Sequence, residues 1–169
     1  MTKRLTILAA FALLLLGGCG PKASKVTSMQ RKEAAALVSE AQFALSVRDS
    51  ARAEGLLAKA TALCPDTGDY WFELGQLRAR SGNRPAAKSA YKSALAAYES
   101  EAAANPRAYA TAVLRQVYVL ALLGRTDDAR AVLAKAQKAR PDDRDLRAFV
   151  ENKQLDQMLA SPAFKAVAL

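Results

Sequence analysis

Apolar residues recur every three or four positions along most of this chain, and the period breaks only at turn residues. In RKEAAALVSEAQFALSVRDS (31–50), Leu37, Ala41, Ala44 and Leu45 form one stripe, the mark of an amphipathic helix. Asp49 or Ser50 is placed to cap a second helix, ARAEGLLAKATALC, which stops at Pro65. GDYWFELGQLRARSG follows and ends at Gly82, with Asn83 as the next cap. RPAAKSAYKSALAAYESEAAA runs long and stops at Asn105-Pro106, where Pro106 suits the first turn of RAYATAVLRQVYVLALLG. That helix ends at Gly124. Thr126 is expected to cap DDARAVLAKAQKA, whose first turn carries Asp127 and Asp128 where the helix dipole favours acids. Beyond Pro141, Asp142 or Asp143 starts RDLRAFVENKQLDQMLA, read as one amphipathic helix through Leu146, Phe149, Val150, Leu155 and Leu159. No segment alternates as a strand would, so the expected class is all-α.

The helices also repeat. Ala53-x3-Leu57-x2-Ala60, Ala87-x3-Tyr91-x2-Ala94 and Ala129-x3-Leu133-x2-Ala136 share one pattern, and Ala53 to Ala87 is 34 residues. Ala87 to Ala129 is 42, the same period with eight residues added. With Trp71, Leu74 and Gly75 ahead of Ala87 and Tyr91, residues 68–101 resemble a tetratricopeptide repeat (TPR), and 34–67 and 110–143 resemble it less fully. Pro65 and Pro141 match its closing proline. Arg78 stands where the family has Tyr, and the second repeat lacks the proline, so its helix is expected to run on towards Ala104. The resemblance implies a TPR-type α-solenoid over 31–143, with 144–169 as a C-terminal capping helix and tail. Its physical logic is that Ala53, Ala87 and Ala129 leave room for close helix crossings, Gly75 and Ala41 let a neighbour approach, and Leu57, Tyr91 and Leu133 fill the space between repeats. No single helix pair hides its apolar face, whereas a stack does. The tail SPAFKAVAL is read either as packing or as a segment lying in the ligand groove until displaced.

The resemblance further implies a groove lined by the first helix of each repeat. Its register places Val38, Gln42 and Leu45 there from the first repeat, Phe72, Glu73, Gln76 and Arg80 from the second, and Leu114, Arg115, Tyr118 and Leu122 from the third. The binding candidates are Gln42, Phe72, Gln76, Arg80, Leu114, Arg115 and Tyr118. Phe72, Leu114 and Leu122 are equally read as core. A mixed lining of this kind suits an extended peptide or an amphipathic helix. A carboxylate clamp is not expected: its matching positions hold Val38, Gln42, Glu73, Thr111 and Arg115, and Glu73 would repel an anion.

The N-terminus is organised differently. Lys3 and Arg4 precede an apolar run from Leu5 to Leu16, too short to span a bilayer comfortably. Leu16-Gly17-Gly18-Cys19 resembles a bacterial lipobox, which implies cleavage of a lipoprotein signal peptide (1–18) before Cys19 and acylation there, palmitate included. Several buried chains make a stable anchor. Gly20, where retained lipoproteins carry Asp, implies delivery to the outer membrane, facing the periplasm. Residues 19–30 then form the lipidated Cys and a short polar linker, reaching roughly 30 Å if extended at about 3 Å per residue.

Composition narrows the function. The chain has 169 residues, is 51% hydrophobic, and is rich in Ala with little Gly or Pro, as helices require. Its formal charge is +9, or +7 once Lys3 and Arg4 leave with the signal. Export argues against nucleic acid, leaving lipid head groups, peptidoglycan carboxylates or acidic protein surfaces as anionic partners. Cys64 has no internal disulfide partner and reads as a small buried residue, with pairing to another chain as the alternative. There is no His, which removes Ser–His and Cys–His nucleophiles and the commonest metal ligand. The paired acids Asp127-Asp128 and Asp142-Asp143 open helices, and no glycine run forms a phosphate cradle. The expectation is no enzyme, metal or cofactor, but a lipid-anchored envelope adaptor that binds another protein or peptide. The alternatives are a basic module resting on anionic lipid or peptidoglycan, and a self-assembling scaffold.

Overall fold

The computed structural model describes residues 25–169. The expected signal segment, Cys19 and the expected linker up to residue 24 lie outside the described residues, and so do the expectations of cleavage and lipidation. Among the described residues there are nine helices and no strand, an all-helical chain in which successive helices pack on one another. They are α1 (Ser28–Ser46), α2 (Ser50–Leu63), α3 (Gly68–Arg80), α4 (Arg84–Ala104), α5 (Tyr109–Leu122), α6 (Thr126–Ala139), α7 (Arg144–Glu151), α8 (Gln154–Ala160) and α9 (Pro162–Lys165).

Local chemistry sets most of the boundaries. Asp49 accepts from the Arg52 amide, Asn83 from the Ala86 amide and Asp143 from the amides of Asp145 and Leu146, each answering a free N–H at a helix start. Such caps contribute about 1 kcal/mol apiece. Gly82 and Gly124 terminate α3 and α5 with φ of +81° and +73°, a conformation that costs a residue with a Cβ. α4 runs to Ala104, two turns longer than its counterparts α2 and α6, as the missing proline implied.

Four expectations are corrected. α1 begins at Ser28 inside the supposed linker, because Thr27 and Gln30 form a reciprocal capping box. Thr126 is the first helical residue and not the cap; Arg125 takes the cap position with no side-chain cap bond, and its Nε binds Asp128. Pro106 is not in the first turn of α5. Asn105 Oδ1 accepts from the amides of Arg107 and Ala108, which holds a separate turn before Tyr109. The segment 144–160 is two helices broken at Lys153, whose φ is +50°. The break has a packing cause. At 100° per residue, Leu146 and Leu155 would face opposite sides of one continuous helix. Both are buried in the same cluster, so the chain turns to bring them there.

The core has two lobes. Ala34, Val38, Ala41, Ala53, Leu57, Ala60, Leu74 and Leu77 pack between α1, α2 and α3. The larger lobe joins α4, α5 and α6 to the C-terminal helices through Tyr91, Leu95, Tyr98, Val117, Leu122, Leu133, Leu146, Phe164 and Val167. Trp71 touches both, and its indole N–H donates to the Pro65 carbonyl at 3.0 Å. Ala53, Ala87 and Ala129 are fully buried, as close helix contacts require. Cys64 is buried and has no disulfide partner among the described residues, and burial pushes its thiol pKa up, which suits a packing residue.

The tail is part of this core. Tyr91 Oη donates to the Val167 carbonyl at 3.1 Å, and the Leu169 amide donates to the Leu122 carbonyl at 2.8 Å. Phe164 and Val167 are buried. No helix among the described residues is long and apolar enough to cross a membrane.

Candidate functional site

α3 places Asp69, Phe72, Glu73, Gln76 and Arg80 along one face at the i, i+3/i+4, i+7, i+11 spacing. Its other face, with Gly68, Leu74, Gly75 and Leu77, is buried. α5 does the same with Thr111, Leu114, Arg115 and Tyr118. The two faces meet across a cavity of about 800 Å³, with Tyr98 from α4 at its base and Asp145 from α7 at its rim. Five sequence candidates line it together: Phe72, Gln76, Leu114, Arg115 and Tyr118.

Four rings run in sequence beneath the cavity. Phe72 lies 6.4 Å from Tyr91 and 5.5 Å from Tyr118, and Tyr118 lies edge-on to Phe164 at 5.5 Å. Each such pair adds roughly 0.5–1.5 kcal/mol beyond burial. Phe72, Leu114 and Tyr118 are only partly buried, so they touch the core yet keep a face open. Burial raises the hydroxyl pKa of Tyr118, and pushes that of Tyr91 up to about 12.

The charges are arranged unevenly. Arg115 binds Asp69 at 2.9 Å and its guanidinium lies 5.6 Å from the centre of the Tyr98 ring. Tyr98 Oη donates to the same Asp69 carboxylate at 2.6 Å, and burial together with that bond raises its pKa. Arg115 is therefore already engaged. Glu73 is half-buried, makes no ion pair among the described residues, and has its pKa raised first by burial and then by the neighbouring Asp69. Three acids, Asp69, Glu73 and Asp145, thus line the cavity with one arginine.

The remaining sequence candidates lie apart. Arg80 bonds back to Gln76 and lines a second cavity of about 470 Å³ with Gln76, Tyr118, Met158 of α8 and the tail residues Phe164 and Val167. The tail is thus both core and wall: it packs through Phe164 and Val167 while bounding this smaller space. Gln42 and Leu45 are exposed on α1, away from the main cavity. Val38 and Leu122 do not line a groove. Val38 turns with Ala34 and Ala41 into the smaller lobe, and Leu122 is covered by the tail. Tyr91 packs against Gly75 of its own helix pair as well as in the larger lobe.

Sequence reading missed Asp69, Tyr98 and Asp145. Asp69 and Asp145 sit in the first turns of α3 and α7, where dipole compensation explains them fully. Tyr98 stands two turns after Tyr91 and carried the only legible signal, a second large ring on the same face of α4. Also unremarked was a basic row on α4: Arg84, Lys88 and Lys92 are exposed at four-residue spacing, with no ion pair among the described residues. No protein-family model matches this chain, and a search of curated proteins finds no match.

Proposed function

We propose that this protein is a lipid-anchored TPR-type adaptor of a bacterial cell envelope, which holds a segment of another protein in the cleft between α3 and α5 and performs no chemistry. The observation that carries this reading is the cavity of about 800 Å³ lined by Phe72, Leu114 and Tyr118, apolar side chains left partly open on a rigid frame. Partner sites are commonly concave, largely preformed and aromatic, with a few placed polar groups. The 34-residue period and the Trp71, Leu74, Gly75, Ala87, Tyr91 signature support the TPR assignment, with helix pairs 34–67, 68–101 and 110–143 as its repeats. The lipobox-like Leu16–Cys19 supports the anchor and an outer-membrane address.

The test is site-specific photocrosslinking in cells. A photoreactive residue at Gln76, in the cleft, is expected to give discrete protein adducts that one at Gly55, exposed on α2, does not. Adducts at Gly55 alone, or at neither, would remove the cleft from the proposal. Metabolic labelling with a fatty acid should mark the wild type and not Cys19→Ser.

One observation favours a second reading. The row Arg84, Lys88 and Lys92 fits a module resting on anionic lipid or peptidoglycan, at about 1 kcal/mol per surface cation. Salt-sensitive sedimentation of the Cys19→Ser protein with anionic vesicles, lost when all three are changed to Gln, would establish it.

A further inference from the structure

The cavity is acidic in a chain that is strongly basic overall, and the imbalance selects an occupant. Its lining carries Asp69, Glu73 and Asp145 against Arg115 alone, while the whole chain is +9. Part of the Arg115 charge is already answered within the chain. Asp69 holds it at 2.9 Å, and Asp69 is bonded to Tyr98 as well. An anion drawing Arg115 off Asp69 would leave that carboxylate beside Glu73 with only the Tyr98 hydroxyl as partner. An anionic ligand would also face the half-buried Glu73, where like charges repel more strongly than in open water, while the exposed Asp145 has Arg144 at 3.9 Å.

A cation would instead meet the acid that lacks a partner among the described residues. Glu73 has no ion pair among the described residues and stands on the turn between Asp69 and Gln76, beside Phe72. Tyr118, partly open, adds a ring on which a cation is attracted, the Tyr98 ring being already met by Arg115. Leu114 and Phe72 supply apolar surface for the neighbours of that cation.

Resting on the cleft reading above, we infer that the cavity between α3 and α5 receives a Lys or Arg side chain of a partner peptide, with its charge against Glu73 and its apolar neighbours against Phe72, Leu114 and Tyr118. The cleft is then specific by charge as well as by shape. A basic-apolar segment enters, and an acidic segment or a free C-terminal carboxylate is refused.

The experiment presents an array of random nonapeptides with blocked termini to the full-length protein in detergent micelles. Enriched peptides are expected to carry Lys or Arg flanked by apolar residues. Replacing that one residue by Glu in the peptide, or making Glu73→Gln in the protein, should each weaken binding about tenfold, the scale of one partly desolvated ion pair. The peptide swap does not touch the protein, so it reads the charge preference independently of any effect on folding. Enriched peptides that lack a basic residue, or basic peptides that bind Glu73→Gln as tightly as wild type, overturn the inference and leave the cleft reading standing if Leu114→Trp blocks them. Peptides that bind Leu114→Trp unchanged, or no enrichment at all, overturn both.

Discussion

A methyl group added at Gly75 tests the packing that fixes the cleft. A Cβ there would lie 2.5 Å from both Cδ1 and Cε1 of Tyr91, against the 3.5–4.0 Å that carbon atoms prefer. The ring would have to retreat by about 1 Å. It has nowhere to go: Tyr91 is fully buried, its hydroxyl is bonded to Val167, and Phe72 lies against it. Forcing atoms into such a place costs about 1–3 kcal/mol, and losing the hydroxyl bond adds about 1. Alanine recovers about 1 kcal/mol because it suits a helix interior better than glycine. The net expectation for Gly75→Ala is a loss of about 2 kcal/mol, or about 8 °C in Tm for a domain of this size. Gly55 is the control, since a Cβ at this exposed position in α2 meets nothing within 4 Å. Gly55→Ala should therefore stabilise by up to about 1 kcal/mol. Urea unfolding followed by circular dichroism reads both. In a Tyr91→Leu background the Gly75→Ala penalty should shrink, as coupling between touching residues requires. If Gly75→Ala matches Gly55→Ala within about 0.5 kcal/mol, the close contact of α3 and α4 is refuted.

Three further outcomes follow from the same geometry. Phe164→Ala removes the edge-on contact with Tyr118 and should free the tail locally: the Leu169 amide, bonded to Leu122, would exchange much faster by hydrogen-exchange mass spectrometry while α3 and α4 keep their protection. Tyr98→Phe keeps the ring but withdraws one of two partners from Asp69, and should cost about 1.5 kcal/mol in urea. Because the raised pKa of Tyr98 favours its neutral form in the fold, wild-type stability should fall as pH rises above the ordinary tyrosine value of 10.0, and fall less steeply in this variant. Glu73→Gln should stabilise at pH 7: a carboxyl with a raised folded pKa costs stability when ionised, and that cost fades as pH falls through the folded value towards 4.5, so the advantage of Gln should vanish in acid denaturation series below it.

The helices were legible because their ends are written locally. Asn83, Gly82, Gly124 and Asp143 answer orphan backbone groups within a turn of themselves, and a single sequence shows that. The break at Lys153 was not legible, since ENKQLDQ holds no Gly or Pro to mark a stop and the shared burial of Leu146 and Leu155 turns the chain. The cleft was half legible for a related reason. Periodicity on α3 and α5 is local, and the repeat resemblance implied that Phe72, Gln76, Leu114, Arg115 and Tyr118 line one groove. Which charges remain free there depends on pairs 29 and 46 residues apart, Asp69 with Tyr98 and with Arg115. Val38 and Leu122 misled because a register carried over from a repeat assumes an equivalent neighbour at every position, and the tail that buries Leu122 has no equivalent in the earlier helix pairs.

Those distant pairs also change what the arginines mean. In the sequence, Arg80 and Arg115 look like the anchors of a cleft in a basic protein, and a basic protein suggests anionic partners. The folded chain divides the two properties. Free cations such as Arg84, Lys88 and Lys92 stand on the outer face of α4, whereas Arg115 is held by Asp69 inside the cleft. Net charge therefore bears on solubility and on what surface the protein lies against. The cleft answers to one carboxylate, Glu73, whose ionisation is disfavoured by burial and then by the neighbouring Asp69. A half-buried carboxylate with no ion pair among the described residues, in a cavity wall, fits recognition better than packing. The two explanations separate in a single variant, because Glu73→Gln should gain stability and lose basic peptides together, whereas a packing residue would lose both.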